Sequence, residues 1–162
     1  MNSAILVNVC KEDFDWMLRG ETESRRGLTL PFGGVAVPFV LEIVRDMTQR
    51  LRAADCDASW MIVCGSEVVG LCSYRRPPCD GRVEIGYGVA ESRQNRGHAT
   101  SAVAAMLQVA AASRGLFEMT AETSVCDPAS SRVLEKNGFE RTGTRIDVED
   151  GKIVTWRKAL RP

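Results

Sequence analysis

The sequence predicts a mixed α/β domain, because short β-rich runs alternate with stretches of helical periodicity. Turn residues between these runs fall at hairpin and helix-cap positions, which supports the same class. A length of 162 residues fits one domain spanning 1–162, large enough to bury a core without metals or disulfides. Hydrophobic residues at 44% and charged residues at 26% have the balance of a soluble globular chain.

Ala4–Cys10 reads as a first strand and Glu12–Arg19 as a short helix. Gly20–Pro38 carries four glycines and two prolines and reads as a long loop. Such a loop either shapes a site or is a merely variable connection, and the residues leave both open. Val37–Arg52 has apolar residues at Val37, Leu41, Val44 and Leu51, a helical spacing. Ser59–Val63 and Val68–Tyr74 form a hairpin across Cys64-Gly65-Ser66-Glu67, and Val83–Val89 is the next strand. A helix over Gly97–Ser113 places Ala99, Val103, Met106, Leu107 and Ala110 on one face. Leu116–Val125 is a strand. Asp127-Pro128 opens a helix that Asn137-Gly138 closes, with an N-cap, a proline at the first position and a glycine stop. Phe139–Val148 and Lys152–Leu160 pair across Glu149-Asp150-Gly151.

Lysine plus arginine (21) cancel aspartate plus glutamate (21), so no net field draws the chain to nucleic acid or an anionic membrane. The N-terminal residues lack a signal-like basic and apolar run, and Gly34–Val44 and Ala102–Ala112 are too short and interrupted to span a bilayer. A cytoplasmic location is the expectation. Six scattered cysteines and one histidine, His98, offer no metal-ligand spacing, so no metal is expected. Cys64 and Cys72 lie in apolar runs and read as core residues.

Chemistry concentrates in Arg93-Gln94-Asn95-Arg96-Gly97-His98-Ala99-Thr100, which runs from a strand into the long helix. A turn at a helix start presents unpaired N–H groups beside the positive end of the macrodipole, a setting for a diphosphate. Gly97 permits close backbone approach, and Arg93 and Arg96 can add positive charge. By themselves these residues fit an ordinary capped helix better than an anion site. No Gly-Lys-Ser/Thr follows Gly97 and no Gly-x-Gly-x-x-Gly precedes it, so the common nucleotide motifs are absent.

Gln94-Asn95-Arg96-Gly97-His98-Ala99 resembles the Gln/Arg-x-x-Gly-x-Gly/Ala signature of the GCN5-related N-acetyltransferase (GNAT) superfamily. Asp127–Phe139 is similar to the Asn-x-x-Ser-x-Arg-Val-Leu-Glu-Lys-x-Gly-Phe stretch of its branch that acetylates ribosomal-protein N-termini. Element order agrees from Ala4 to Leu160, and the specific motifs fall within Glu84–Phe139. The resemblance implies a mostly antiparallel, mixed sheet of six to seven strands flanked by about four helices, with splayed central strands. It implies acetyl-CoA as co-substrate, its pyrophosphate on the amides of Gln94, Asn95, Arg96, Gly97, His98, Ala99 and Thr100. Its pantetheine arm would run beside Val89, and a backbone N–H near Val89 would polarise the thioester carbonyl.

Transfer to an amine needs a deprotonated nucleophile, so a base is required. Glu84, flanked by Val83 and Ile85, is the candidate; it can equally bind the acceptor amine or face solvent. Leu134 stands where many relatives carry a proton-donating tyrosine. Ser130 is the substitute for protonating the thiolate, or else a helix residue bound to the Asp127 cap. Asp127 replaces the family asparagine and keeps an acceptor for a pantetheine N–H. His98 reads as a filler of the turn rather than a catalytic group. The implied activity is acetyl transfer from acetyl-CoA to a primary amine, on a protein N-terminus or a small molecule, by direct attack in a ternary complex. A non-catalytic CoA-binding sensor or structural module on the same fold is the alternative, with a monomer or a homodimer as the assembly.

Overall fold

The computed structural model describes residues 3–20 and 24–160. Along the chain lie β1 (Ile5–Asn8), α1 (Lys11–Arg19), α2 (Pro38–Ala53), β2 (Ser59–Cys64), β3 (Glu67–Tyr74) and β4 (Arg82–Val89). They are followed by α3 (His98–Ala112), β5 (Glu118–Ser124), α4 (Pro128–Lys136), β6 (Glu140–Asp147) and β7 (Gly151–Ala159). A 3-10 turn over Glu91–Arg93, which the periodicity did not signal, stands between β4 and α3.

One seven-stranded sheet runs in the order β1-β2-β3-β4-β5-β7-β6. Its pairs are antiparallel except β4 with β5, which run parallel from Arg82↔Glu118 to Ile85↔Ala121. The last two strands pair as the hairpin that the turn residues predict, but the later strand sits inside. β7 buries Ile153, Val154 and Trp156, whereas β6 is polar and largely exposed along its length. Apolar burial therefore draws β7 against β5 and leaves β6 on the edge.

Strand alternation divides the core in two. On one side Trp60, Ile62, Val69, Val83, Ile85, Met119 and Ala121 meet Ala102, Val103 and Met106 of α3 and Leu134 of α4. On the other, Met61, Val63, Val68 and Leu71 meet Phe14, Trp16 and Met17 of α1 and Leu41 of α2. Cys72 is buried in the first cluster as expected, whereas Cys64, at the end of β2, is only half-buried. Among the described residues no helix is long and apolar enough to cross a membrane.

The stretch predicted as a long loop is anchored, although Glu21–Glu23 lie outside the described residues. Asp13, 1% exposed, receives Nε of Arg25 at 2.9 Å and Nη1 of Arg26 at 2.7 Å, and also the Cys10 N–H at 2.9 Å. Further on, Thr29 lies beside Glu67, with the Val68 N–H donating to the Thr29 carbonyl at 2.9 Å. Ser92 Oγ donates to the Phe32 carbonyl at 2.9 Å, which ties the loop to the 3-10 turn. Burial works to raise the Asp13 pKa, but the Cys10 N–H and the Arg25 guanidinium outweigh it and hold the carboxyl below its ordinary value.

A second constraint is the approach of β3 to β4. Gly70 faces Val89 across the ladder, and a Cβ there would collide with the Gly88 carbonyl. This glycine lets the C-terminal end of β4 lie close to β3.

Two predictions follow from these contacts. Asp13→Asn removes charge-assisted bonds from a buried acceptor and should lower unfolding free energy by about 1–3 kcal/mol at neutral pH, measured by denaturant titration. A carboxylate with a depressed folded pKa contributes fully above its unfolded value of about 3.9 and loses that contribution as pH falls through the lower folded value, so the gap between wild type and variant should narrow in acid. Gly70→Ala forces β4 away from β3 and should destabilise by about 1–3 kcal/mol in the same measurement.

Candidate functional site

The site begins where β4 and β5 part. Pairing ends at Ile85↔Ala121, yet β4 continues to Val89 while β5 turns its other edge to β7. On the β3 side, the Arg75 N–H donates to Glu84 O and the Ala90 N–H to Val69 O, both at 2.8 Å. Antiparallel alternation therefore turns the backbone groups of Tyr87 and Val89 the other way, towards the space that β5 has left. A cleft of about 440 Å³ opens there, walled by the end of β4, the turn before α3 and one face of α4.

The turn owes its shape to two residues with positive φ. Asn95 lies at φ +60° and Gly97, the N-cap of α3, at +80°. Asparagine and glycine are the residues that tolerate that region, so the chain can reverse and enter the helix without a side-chain cap. The Ser101 N–H is bonded back to the Gly97 carbonyl at 3.0 Å, which leaves the amides of His98, Ala99 and Thr100 at the open helix end. Gln94 Nε2 donates to the Val89 carbonyl at 3.4 Å and closes the turn onto β4. Gln94, Asn95, Gly97, His98, Ala99 and Thr100 all line the cleft, as does Val89.

The arginines behave otherwise than expected. Arg96 is exposed and is not part of the cleft wall. Arg93 does line it, but its guanidinium is closed on Glu67, with Nε at 2.6 Å and Nη2 at 3.0 Å from the carboxylate oxygens. Positive charge comes instead from Arg132 and Lys136 of α4, which sequence reading did not single out. Their spacing of four residues, one helical turn apart on the same face, was the available signal. Burial and the nearby Arg96 charge hold His98 below its ordinary pKa, outweighing the opposing Glu67 charge.

At the start of α4, Asp127 caps the helix with both carboxylate oxygens. Oδ1 accepts the Ser130 N–H at 3.1 Å and Oδ2 the Ser130 hydroxyl at 2.6 Å. Ser130 thus takes the cap interaction foreseen as one of its two roles, while still lining the cleft with Asp127. Tyr87 reaches across from β4, and its hydroxyl donates to the Ser130 carbonyl at 3.0 Å. Burial pushes the Tyr87 phenol up, so it stays protonated through the neutral range. Leu134, in place of the tyrosine of many relatives, is fully buried. Asn137, expected only as a helix stop, donates Nδ2 to the Thr100 carbonyl at 3.2 Å and so locks α4 to the first turn of α3.

Glu84 is elsewhere. Val83 and Ile85 point into the core beneath α3, so by alternation Glu84 faces the opposite side of the sheet. The apolar surroundings expected for it are absent: its carboxylate lies 3.3 Å from Arg75 Nε and 3.5 Å from Arg76 Nη2. It lines a second groove of about 290 Å³ with Glu118, Thr120, Glu122 and residues of β7. Glu122 is held by both arms of Arg145, at 2.9 and 2.7 Å, a structural ion pair. The two openings lie on either side of the sheet at the point where β4 and β5 separate. Among the described residues no three His, Cys, Asp or Glu side chains gather as metal ligands.

Solved structures share this fold at low identity. The ribosomal protein α-N-acetyltransferase RimL, in complex with coenzyme A, superposes with a TM-score of 0.72 at 16% identity, over 98% of this chain and 95% of that one. Aminoglycoside acetyltransferase AAC(6')-Ib with ribostamycin and coenzyme A gives 0.71 at 19% identity, over 98% and 94%. A chimera of the spermidine N-acetyltransferase SpeG from Vibrio cholerae with hSSAT gives 0.71 at 11%, over 98% and 96%. No curated protein matches the sequence significantly. A sequence profile of the acetyltransferase (GNAT) domain, however, matches residues 5–140. That match spans β1 to the start of β6, takes in the amide-lined turn and both sides of the parted strands, and the chain accordingly belongs to the GNAT acetyltransferase family.

Proposed function

We propose that this chain is an acetyl-CoA-dependent N-acetyltransferase that moves acetyl to a primary amine by direct attack in a ternary complex, with 1–162 acting as one catalytic domain. The observation that carries this reading is the amide-lined start of α3 opening onto the gap between β4 and β5. Fit with the donor is chemical as well as spatial. The amides of Gly97–Thr100 suit a pyrophosphate, and Arg132 and Lys136 balance its charge. The outward backbone edges of Tyr87 and Val89 suit the amides of a pantetheine arm, with Asp127 as a further acceptor.

The chemistry is then divided between the two faces of the sheet. The Val89 N–H donates to the thioester carbonyl and stabilises the charge that develops on its oxygen. Glu84, on the far side, faces the acceptor nitrogen and takes its proton directly or through water. Ser130 turns its hydroxyl from Asp127 to the departing thiolate and donates its proton, which is replaced through solvent by the proton taken from the amine. Tyr87, protonated and bonded to the same turn of α4, holds that turn in place. A CoA-binding module without transfer is the second reading, favoured by the buried Leu134 where many relatives carry a tyrosine.

Acetyl-CoA at about a hundredfold above its Kd should stabilise the protein by roughly 2.7 kcal/mol, seen as a raised melting temperature, whereas ATP and NAD should not. No shift with acetyl-CoA refutes the reading. Glu84→Gln should keep the shift but lose about a hundredfold or more in turnover; unchanged turnover removes Glu84 as the base. Binding without thiol release across a broad amine panel is the outcome that supports the non-catalytic module.

A further inference from the structure

The groove that holds Glu84 contains three glutamates, Glu84, Glu118 and Glu122, and at first sight suits a polycation. Their partners say otherwise. Glu118 lies 3.1 Å from Arg82, and Glu122 is gripped by Arg145, which also holds Asp147 at 2.9 Å, so neither glutamate is left without a guanidinium. Glu84 alone meets two, Arg75 and Arg76, and among the described residues it is the only carboxylate paired with either. The contacts of 3.3 and 3.5 Å are looser than the 2.7 Å pair at Glu122. Both arginines are more than half exposed, at 55% and 76%, so their remaining donors face solvent. At the proposed base itself two guanidiniums therefore meet one carboxylate.

Position adds to charge. Arg75 follows β3, and its side chain lies across Gly86, with Cγ and Cδ 3.6 Å from where a Cβ would stand. Gly86 is the first residue of β4 beyond the last rung shared with β5. Packed over Gly86, the Arg75 side chain reaches from Glu84 towards the point where the strands part. A cation brought to this place meets like charge. An ammonium facing Glu84 with an anion a few bonds away meets a guanidinium fork suited to it.

We infer that the acceptor is an amine bearing its own carboxylate or phosphate, the anion held by Arg75 and Arg76 while the nitrogen faces Glu84, and that it is not a polycation. This rests on the acetyl transfer proposed above. Recognition is by charge and bidentate geometry, and it makes Arg75 and Arg76 specificity-determining residues.

The test is thiol release from acetyl-CoA with matched acceptors. They are α-amino acids against their decarboxylated amines, O-phosphoethanolamine against ethanolamine, and spermidine as the polycation. The anionic member of at least one pair should exceed its partner and spermidine in kcat/KM by about tenfold or more, and the carboxylate and phosphate arms tell which anion is read. Arg75→Gln with Arg76→Gln should erase that preference mainly through KM, and Arg75→Lys with Arg76→Lys should retain part of it, with the acetyl-CoA thermal shift reporting that each variant is folded. Equal or better use of spermidine or the neutral amines overturns the inference and leaves acetyl transfer standing. Absence of any acetyl-CoA thermal shift overturns the transferase reading, and the inference with it. If CoA binds but no amine is turned over, calorimetry of the same anionic amines on the CoA-saturated protein decides. Binding that the double glutamine variant loses supports the charge recognition, and no binding by wild type overturns it.

Discussion

The parallel pairing of β4 with β5 lasts four rungs, from Arg82↔Glu118 to Ile85↔Ala121, and both grooves of the candidate site are arranged around its end. Beyond Ile85, β4 keeps its antiparallel bonds to β3 and β5 keeps its bonds to β7, so each strand is stable on one edge and open on the other. An open edge inside a sheet is costly unless something pairs with it, because buried backbone groups need partners. Here the opening is kept by packing rather than by a break in either strand. Gly70 draws the end of β4 towards β3, and Trp156, bonded through Nε1 to Thr123 Oγ1 at 2.9 Å, holds β7 against β5. The two halves are thus pulled in opposite directions from a shared four-residue hinge line.

That separation joins two electrically different surfaces. On the α3 and α4 side the wall carries free helix amides, Arg132 and Lys136, all suited to a polyanion. On the far side the glutamates are held in ion pairs with arginines from the turn after β3 and from β4 and β6. Arg93 lines the first surface without adding free charge to it. Its fork on Glu67 fixes the 3-10 turn to the start of β3 and spends a charge that would otherwise face the cleft. The loop before α2 is tied to the same turn through Ser92 and Phe32.

Most of the fold was legible because its signals are local. Hairpin turns, the Asp127-Pro128 cap, the Gly138 stop and the apolar stripe of α3 each depend on neighbours within a few residues, and each element appears within a few residues of its expected bounds. What the residues could not announce was which strand of the final hairpin would adjoin β5. That choice depends on the burial of Trp156 and Val154 against a core assembled from distant elements. The 3-10 turn was likewise silent, since three residues leave no period to read.

The site divides along the same line. Sequence by itself determined the anion turn, because Gly97 at positive φ and a following helix are properties of one short segment, and it placed Glu84 on β4. Only the tertiary structure decided what surrounds them. Arg132, Lys136 and Asn137 reach the turn from nearly forty residues away through the packing of α4 beside α3. Arg75 and Arg76 replace the apolar setting expected for Glu84, because alternation along β4 sends Val83 and Ile85 to the core and Glu84 to the open face. Local geometry sets what a segment can offer a ligand; long-range packing sets the charges that ligand meets.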